Sequence, residues 1–126
     1  MIAGTGTDLV SVDMLRREMA RNPALAAAVF SPDEVAYCEA APDPMPRYAA
    51  RFAAKEAVMK ALGTGWGPGA DWLDVVVVEA PGGDGPPAVE LRGEAAARAG
   101  EGARVHLSLS HEAGLAVAFA VIERPA

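Results

Sequence analysis

The stretch RFAAKEAVMKALGTG, residues 51–65, predicts the long helix around which the rest of the chain is arranged. Alanine is the strongest helix former, and a glycine such as Gly63 commonly ends a helix. Proline is favoured in the first helical turn, so we expect the helix to run from Pro46 to Leu62. Because alanine covers most of its circumference, we expect this helix to be packed on more than one side.

The same helix carries charges that a plain packing helix would not need. Glu56 and Lys60 are four positions apart and lie on one face, whereas Arg47, Arg51 and Lys55 form a second stripe. On a solvated helix they would form surface ion pairs worth about 0.3–0.5 kcal/mol each. A charge in a crevice, by contrast, must find a partner. Mg²⁺ would satisfy Glu56, and phosphate oxygens would satisfy the cationic side chains.

The flanking sequence predicts shorter elements. A strand is expected over residues 2–7, a helix over 12–22 and another over about 32–40, which Ser31 and Glu34 begin as a capping box. Two strand pairs follow, with a short helix between them. This order predicts an α+β fold, a single domain over residues 1–126, in which a mostly antiparallel sheet packs on one long helix plus shorter helices.

Composition narrows the classes of function and partner. The net charge of −6 argues against nucleic-acid binding, which depends on cationic side chains. Arg16, Arg17 and Arg21 nevertheless form a local basic cluster that could attract an acidic partner. No apolar run approaches the roughly 20 residues of a membrane span, no signal peptide is evident, and Cys38 is the single cysteine. We therefore expect a cytoplasmic protein without a membrane or nucleic-acid partner.

Two polar residues outside the helix are candidates for chemistry. Asp8 either caps the following helix or ligates a divalent cation. His111 lies at the end of an alternating strand, where a histidine is more often a turn residue than a catalyst. The glycines of GTGTDL lack the third glycine of a dinucleotide fingerprint, so Gly4 and Gly6 are expected instead to allow close approach of another backbone.

Three separated stretches share the order and spacing of one family: GTGTDLVSVDML at 4–15, RYAARFAAKEAVMKALGTG at 47–65 and VHLSLSHEAGLAVAFAVIE at 105–123. They resemble the holo-acyl-carrier-protein synthase type of 4′-phosphopantetheinyl transferase. The resemblance implies that fold, and the transfer of 4′-phosphopantetheine from coenzyme A to a serine of an apo acyl carrier protein. Adenosine 3′,5′-bisphosphate would be released. It also implies Mg²⁺ dependence and a homotrimer with its sites between subunits.

The resemblance assigns roles residue by residue. Asp8 and Glu56 match the two metal carboxylates, and Lys60 matches the lysine that contacts phosphate and stabilises the leaving group; these three would be catalytic. His111 matches a histidine at the coenzyme site. The resemblance also suggests that Arg51 and Lys55 contact phosphates of the coenzyme. The acidic carrier protein would dock on the first helix, and the residues for that contact are Arg16, Arg17 and Arg21.

Two departures from the family pattern bear on the partner. Ser11 and Met14 stand where the family usually has glutamate and arginine. Because that arginine would face the carrier, an alternative is a transferase dedicated to a polyketide or other secondary-metabolism carrier rather than a fatty-acid one. A third possibility, from another class, is a non-catalytic oligomeric module that binds coenzyme A or a carrier protein. The intact Asp8, Glu56 and Lys60 argue against such a module.

Overall fold

The computed structural model describes residues 1–64, 71–80 and 85–126. Its elements, in chain order, are β1 (Ile2–Ser11), α1 (Val12–Arg21), α2 (Leu25–Val29), α3 (Pro32–Glu39), α4 (Met45–Leu62), β2 (Val75–Val78), β3 (Ala88–Leu91), α5 (Gly93–Ala99), β4 (Arg104–Glu112) and β5 (Leu115–Glu123), with a 3₁₀ turn over Trp72–Asp74 before β2. Within those described ranges, no helix combines the length and the apolar character needed to cross a membrane.

The long helix α4 packs across the inner face of an antiparallel sheet. That sheet has the strand order β1-β5-β4, and β2 pairs with β3 in a separate antiparallel hairpin. The predicted α+β class, with strands largely antiparallel around one long helix, is confirmed. Small side chains on both sides make the packing close, because Ala116, Ala118 and Ala120 of β5 are buried opposite the alanines of α4.

Glycines bring β1 into contact with the backbone of α4. A Cβ on Gly6 would lie 1.9 Å from the carbonyl oxygen of Ala57, and one on Gly4 would lie 2.0 Å from that of Ala61. Real Cβ atoms do not approach a backbone so closely, so strand and helix could not keep this separation with any other residue. The expected close backbone approach is therefore confirmed, and it sets the distance between β1 and α4.

Substitution of Gly6 by alanine should destabilise the fold strongly. The new methyl group would overlap a carbonyl that belongs to a helix and cannot rotate away, so α4 must shift from the sheet. We expect the free energy of unfolding to fall by about 3 kcal/mol, as in severe overpacking. Urea denaturation followed by circular dichroism measures it. Thr5→Ala on the opposite, exposed face of β1 is the control, and an equal loss there would contradict this explanation.

Local signals located most elements, with three differences. β1 extends to Ser11, so Asp8 lies within the strand rather than at its end. Ser11 is the cap of α1, since its Oγ accepts from the amide of Met14 at 3.2 Å. The alternative that Asp8 caps this helix is thus excluded. The five-residue α2 was not predicted, because it is too short to show a helical period.

Other sequence predictions hold at residue level. Ser31 and Glu34 form the predicted capping box at the start of α3, and Gly63 ends α4 in the left-handed conformation with φ of 77°. The sequence also predicts a loop in the glycine-rich stretch after Gly63 and a turn between the first pair of strands. Both fall largely on 65–70 and 81–84, which lie outside the described residues.

Candidate functional site

One edge of the molecule brings together the three predicted catalytic residues, which we call the carboxylate edge: Asp8 of β1, and Glu56 and Lys60 of α4. The Lys60 Nζ donates to Asp8 Oδ1 at 3.1 Å and to the carbonyl of Thr7 at 3.0 Å. The Lys60 side chain is 51% exposed, whereas that of Asp8 is only 11% exposed. The close contact of β1 with α4 thus places a nearly buried carboxylate beneath an accessible ammonium group.

The two carboxylates of this edge are in direct contact. Burial, followed by a hydrogen bond to Asp8 and its negative charge, raises the pKa of Glu56 to about 7, and Lys60 opposes that shift. Asp8 Oδ2 is buried and has no hydrogen-bond partner within the described part of the chain. An unpaired buried carboxylate oxygen is costly. The edge therefore carries more negative charge than Lys60 compensates.

A divalent cation fits this arrangement. Mg²⁺ is usually held by one or two carboxylates together with substrate phosphate oxygens. Asp8 and Glu56 supply such a pair, and the orphaned Asp8 Oδ2 is a ready ligand atom. Among residues 1–64, 71–80 and 85–126, no group of three or more His, Cys, Asp or Glu side chains could hold a metal. Phosphate oxygens of a substrate are suitable further ligands.

Lys55, predicted as a coenzyme contact, lies instead in the core. Its Nζ contacts Glu34 Oε1 at 2.7 Å and donates to the carbonyls of Trp72 at 2.9 Å and Val75 at 2.5 Å. Burial lowers the pKa of Lys55, and the Glu34 carboxylate opposes that shift. All three ammonium protons have protein acceptors and the side chain is fully buried. A coenzyme phosphate has no access to this side chain, so the prediction that Lys55 contacts the coenzyme is wrong.

Arg51 lines a cleft on another side of α4. This cleft, which we call the arginine cleft, has a volume of about 340 Å³. Its walls include Tyr37, Arg47, Arg51, Glu79 and His111. The structure thus brings together Arg51 and His111, two of the residues predicted to contact the coenzyme. Leu109 at the end of β4 also lines the cleft.

The arginine cleft is held by charge and by ring contacts. Arg51 forms an ion pair with Glu79, and its guanidinium lies 4.3 Å from the centre of the Tyr37 ring. Arg47 lies 4.2 Å from the same ring and donates to the carbonyl of Tyr37 at 2.6 Å. The Nε of Arg51 is buried without a hydrogen-bond partner among the described residues. Sequence reasoning missed Tyr37 and Glu79, since no local pattern relates them to α4.

The basic cluster of α1 is mostly engaged within the chain. Arg16 forms a two-pronged ion pair with Asp43, with hydrogen bonds of 2.8 and 3.1 Å, and Arg21 pairs with Glu18. Arg17 is exposed and makes no ion pair or side-chain hydrogen bond with any described residue. Met14, one turn earlier, is 60% exposed. Of the three predicted docking residues, Arg17 is the one already available to a partner.

Comparison with known proteins relates both the sequence and the fold to one family. Residues 4–120 match the sequence model of the 4′-phosphopantetheinyl transferase superfamily. The chain is 51% identical over 130 residues to the holo-(acyl-carrier-protein) synthase of Anaeromyxobacter sp. strain K, covering 98% of this chain and 97% of the relative. The chain is also 41% identical over 126 residues to the holo-(acyl-carrier-protein) synthase of Koribacter versatilis, an alignment that covers 98% of this chain and 99% of the relative.

Solved structures agree with the sequence matches. The holo-(acyl-carrier-protein) synthase of Neisseria meningitidis superposes with a TM-score of 0.86 at 33% identity, covering 98% of this chain and all of that one. The enzyme of Bacillus anthracis, solved in complex with coenzyme A (3′,5′-ADP), gives a TM-score of 0.81 at 29% identity with 99% of each chain covered. The predicted fold is thus confirmed by both sequence and structural comparison.

Proposed function

The chain belongs to the 4′-phosphopantetheinyl transferase superfamily, and we propose from this membership how its residues carry out the reaction. It has the activity of a holo-(acyl-carrier-protein) synthase. It transfers 4′-phosphopantetheine from coenzyme A to an apo acyl carrier protein. The observation that supports our assignment of the chemistry is the carboxylate edge, where a buried unpaired carboxylate oxygen lies beside an accessible lysine.

Asp8 and Glu56 would hold Mg²⁺ at this edge. The ion, when bound, supplies a positive charge that polarises the phosphoryl oxygens of coenzyme A and orients the leaving group. Phosphoryl transfer depends mainly on positioning and charge neutralisation, so the enzyme needs no nucleophile of its own. The attacking hydroxyl belongs to the serine of the carrier protein. This division of labour is consistent with a site built from two carboxylates and a lysine.

Lys60 would contact the transferred phosphate. An ammonium group has three donors, and two of those of Lys60 are occupied by Thr7 and Asp8. The third is free to donate to a phosphate oxygen, and the half-exposed side chain allows a ligand to reach it. A positive charge there also stabilises negative charge that develops on the leaving pyrophosphate oxygen.

Two copies of the chain are needed for one complete site in this proposal. Arg51 and Glu56 are five positions apart, so they point about 140° from one another around α4. A coenzyme bound at the carboxylate edge of one chain therefore cannot easily reach Arg51 and His111 of the same chain. A neighbouring copy could present its arginine cleft to that edge. We propose that Arg51 and His111 contact the coenzyme across such a subunit boundary.

The outer face of the sheet supports an oligomer. Leu9, Leu115, Val117 and Phe119 form an apolar patch there, with exposures from 37% to 60%. We propose that this patch is covered in a homotrimer. Light scattering of the parent protein should give the mass of three chains, and that of the Phe119→Asp variant should give the mass of one chain.

We also place the enzyme in the cytoplasm, where Cys38 would remain a free thiol.

Reversing the charge of Arg17 should weaken recognition of the carrier protein. The acidic carrier would be attracted to the exposed face of α1, and Arg17 is the cation of that helix without an internal acceptor among the described residues. We expect Arg17→Glu to raise the KM for the carrier about tenfold at low salt, with less effect in high salt. The KM for coenzyme A should stay unchanged. Arg92→Glu, an equal charge change outside α1, is the control, and equal losses in both variants would exclude specific docking.

Intact-mass spectrometry tests the proposed function. The protein is incubated with coenzyme A, Mg²⁺ and one of two apo carriers, from fatty-acid or polyketide synthesis, with and without EDTA. A gain of about 340 Da on the carrier that EDTA abolishes is expected for metal-dependent transfer. Faster modification of the polyketide carrier would identify a dedicated secondary-metabolism enzyme, consistent with Met14 at the docking helix. Absence of transfer to both would favour a binding module.

A further inference from the structure

The end of α4 carries Lys60 in its last turn, where backbone carbonyls have no partner within the helix. Two of them are satisfied by the residues that follow. The amide of Gly63 donates to the carbonyl of Lys60 at 3.0 Å, and the amide of Thr64 donates to that of Met59 at 3.1 Å. The Thr64 hydroxyl also donates to the Met59 carbonyl at 3.1 Å. These contacts close the turn that holds Lys60.

The carbonyls of the last helical residue, Leu62, and of Gly63 after it are bound by an arginine of another helix. Arg98 of α5 donates through Nε to the carbonyl of Leu62 at 2.9 Å, and through a terminal nitrogen to that of Gly63 at 3.4 Å. A guanidinium at the C-terminal end of a helix also interacts favourably with the helix dipole. Arg98 is thus the cap of α4, supplied by a part of the chain distant in sequence.

Arg98 is itself held in place by the chain termini. Arg124, just after β5, donates to the carbonyl of Ala99 at 2.6 Å and to that of Arg98 at 2.9 Å. The backbone of Arg124 pairs with Met1 by two hydrogen bonds of 2.8 Å. The end of α5 therefore has the same kind of cap as the end of α4. Both caps are anchored to the paired first and last strands of the sheet.

From these contacts we propose that Arg98 is a positioning residue for Lys60. The proposal rests on the function proposed above, in which Lys60 contacts the coenzyme phosphate. The Lys60 side chain is half exposed, and its ammonium group is held by hydrogen bonds to Thr7 and Asp8 of β1. Whether the ammonium group reaches these acceptors depends on where the backbone of the last turn places the side chain. Without Arg98, the carbonyls of Leu62 and Gly63 would turn toward water and the last turn would fray. Lys60 would then spend less time beside Asp8.

Kinetics of three variants test this role. We expect Arg98→Ala to lower kcat about tenfold, because the misplaced ammonium stabilises the transition state poorly. The KM for the carrier protein should change less than about twofold, since docking lies elsewhere. Arg98→Lys, which keeps one charged donor, should recover most of the loss. Arg92→Ala, which removes an exposed arginine paired with Glu90, is the matched control and should leave kcat unchanged.

A double variant separates positioning from general stability. In a Lys60→Ala background, Arg98→Ala should reduce kcat no further, because the group it positions is absent. An undiminished tenfold loss in that background, or a kcat for Arg98→Ala within about twofold of the parent enzyme, would overturn the proposal. If Lys60→Ala alone has no effect on kcat, the proposed role of Lys60 fails and that of Arg98 fails with it.

Amide hydrogen exchange supplies a readout that does not depend on activity. The amides of Gly63 and Thr64 close the last turn of α4, so in Arg98→Ala they should exchange at least about tenfold faster. The amide of Val58, in the buried middle of α4, should be unaffected. Unchanged exchange at residues 63 and 64 would overturn the proposal even if activity fell. If these amides exchange faster in Arg98→Ala but the parent protein itself performs no transfer, the result would support the cap and contradict the proposed function.

Discussion

Replacing Glu56 by glutamine is expected to abolish most transfer and, at the same time, to stabilise the metal-free protein. Glutamine keeps the shape of the side chain but removes one of the two charges that would bind Mg²⁺. Metal ions contribute several kcal/mol to the transition state of such reactions. We therefore expect kcat/KM to fall about a thousandfold, which corresponds to about 4 kcal/mol.

The expected gain in stability follows from the same contact. The Asp8 and Glu56 carboxylates repel one another when both are ionised, and Asp8 Oδ2 has no partner among the described residues. A glutamine amide at position 56 could donate to the Asp8 carboxylate without adding charge. After allowance for partial exposure, relief of this repulsion should raise the free energy of unfolding by about 1 kcal/mol at pH 8 in EDTA.

The pH dependence of that gain has a definite sign. The pKa of Glu56 is raised to about 7 in the folded protein from the ordinary value of 4.5. Folding of the parent protein is therefore favoured by protonated Glu56 below the ordinary value, and this stability is lost as the pH rises to about 7. The gain in the free energy of unfolding from Glu56→Gln should be greatest above pH 7 and should vanish below about pH 4.5.

Thermal unfolding at several pH values, together with the mass assay, measures both effects. Glu94→Gln changes the same charge on the exposed side of α5 and is the control for both. Retention of transfer by Glu56→Gln at limiting Mg²⁺ would remove Glu56 from the metal site. A loss of transfer accompanied by a loss of stability would mean that Glu56 has mainly a structural role.

The sequence predicted those features that depend on neighbouring residues. The glycine at the end of α4, the capping box of α3 and the pairing of the last two strands all have local signals, and all were confirmed. The proximity of Glu56 to Lys60 follows from helical geometry. Asp8 could be related to them only by resemblance, because its place beside α4 depends on the close contact that Gly4 and Gly6 permit.

Lys55 shows why the sequence alone could not predict which charged residues of α4 belong to the candidate site. Its stripe on α4 is shared with Arg47 and Arg51, and helical spacing alone cannot distinguish an exposed cation from a buried one. The deciding partner, Glu34, lies on α3, and the sequence identified it only as a capping residue. The other two acceptors are main-chain carbonyls, which leave no trace in side-chain patterns. Long-range packing therefore decides whether a charge belongs to a site or to the core.

Substitution of Lys55 by methionine should produce a large loss of stability. The change would leave the Glu34 carboxylate buried without its counter-ion, and it would remove a donor from the carbonyls of Trp72 and Val75. Breaking a buried pair from one side typically costs about 3–5 kcal/mol. We expect a loss of that size in urea denaturation. Lys60→Met, the same change at the half-exposed lysine of this helix, should cost less than Lys55→Met, although it removes the counter-ion of the nearly buried Asp8.

A double variant shows how much of that loss comes from the stranded charge. Many buried ion pairs can be replaced by apolar side chains without cost. Glu34, however, also accepts from the amides of Ser31 at 2.8 Å and Val77 at 2.9 Å, so it joins α3 to β2. We expect Glu34→Met combined with Lys55→Met to be no worse than Lys55→Met alone, yet still less stable than the parent. Full recovery would show that the pair is dispensable, and strict additivity would show that the two charges do not interact.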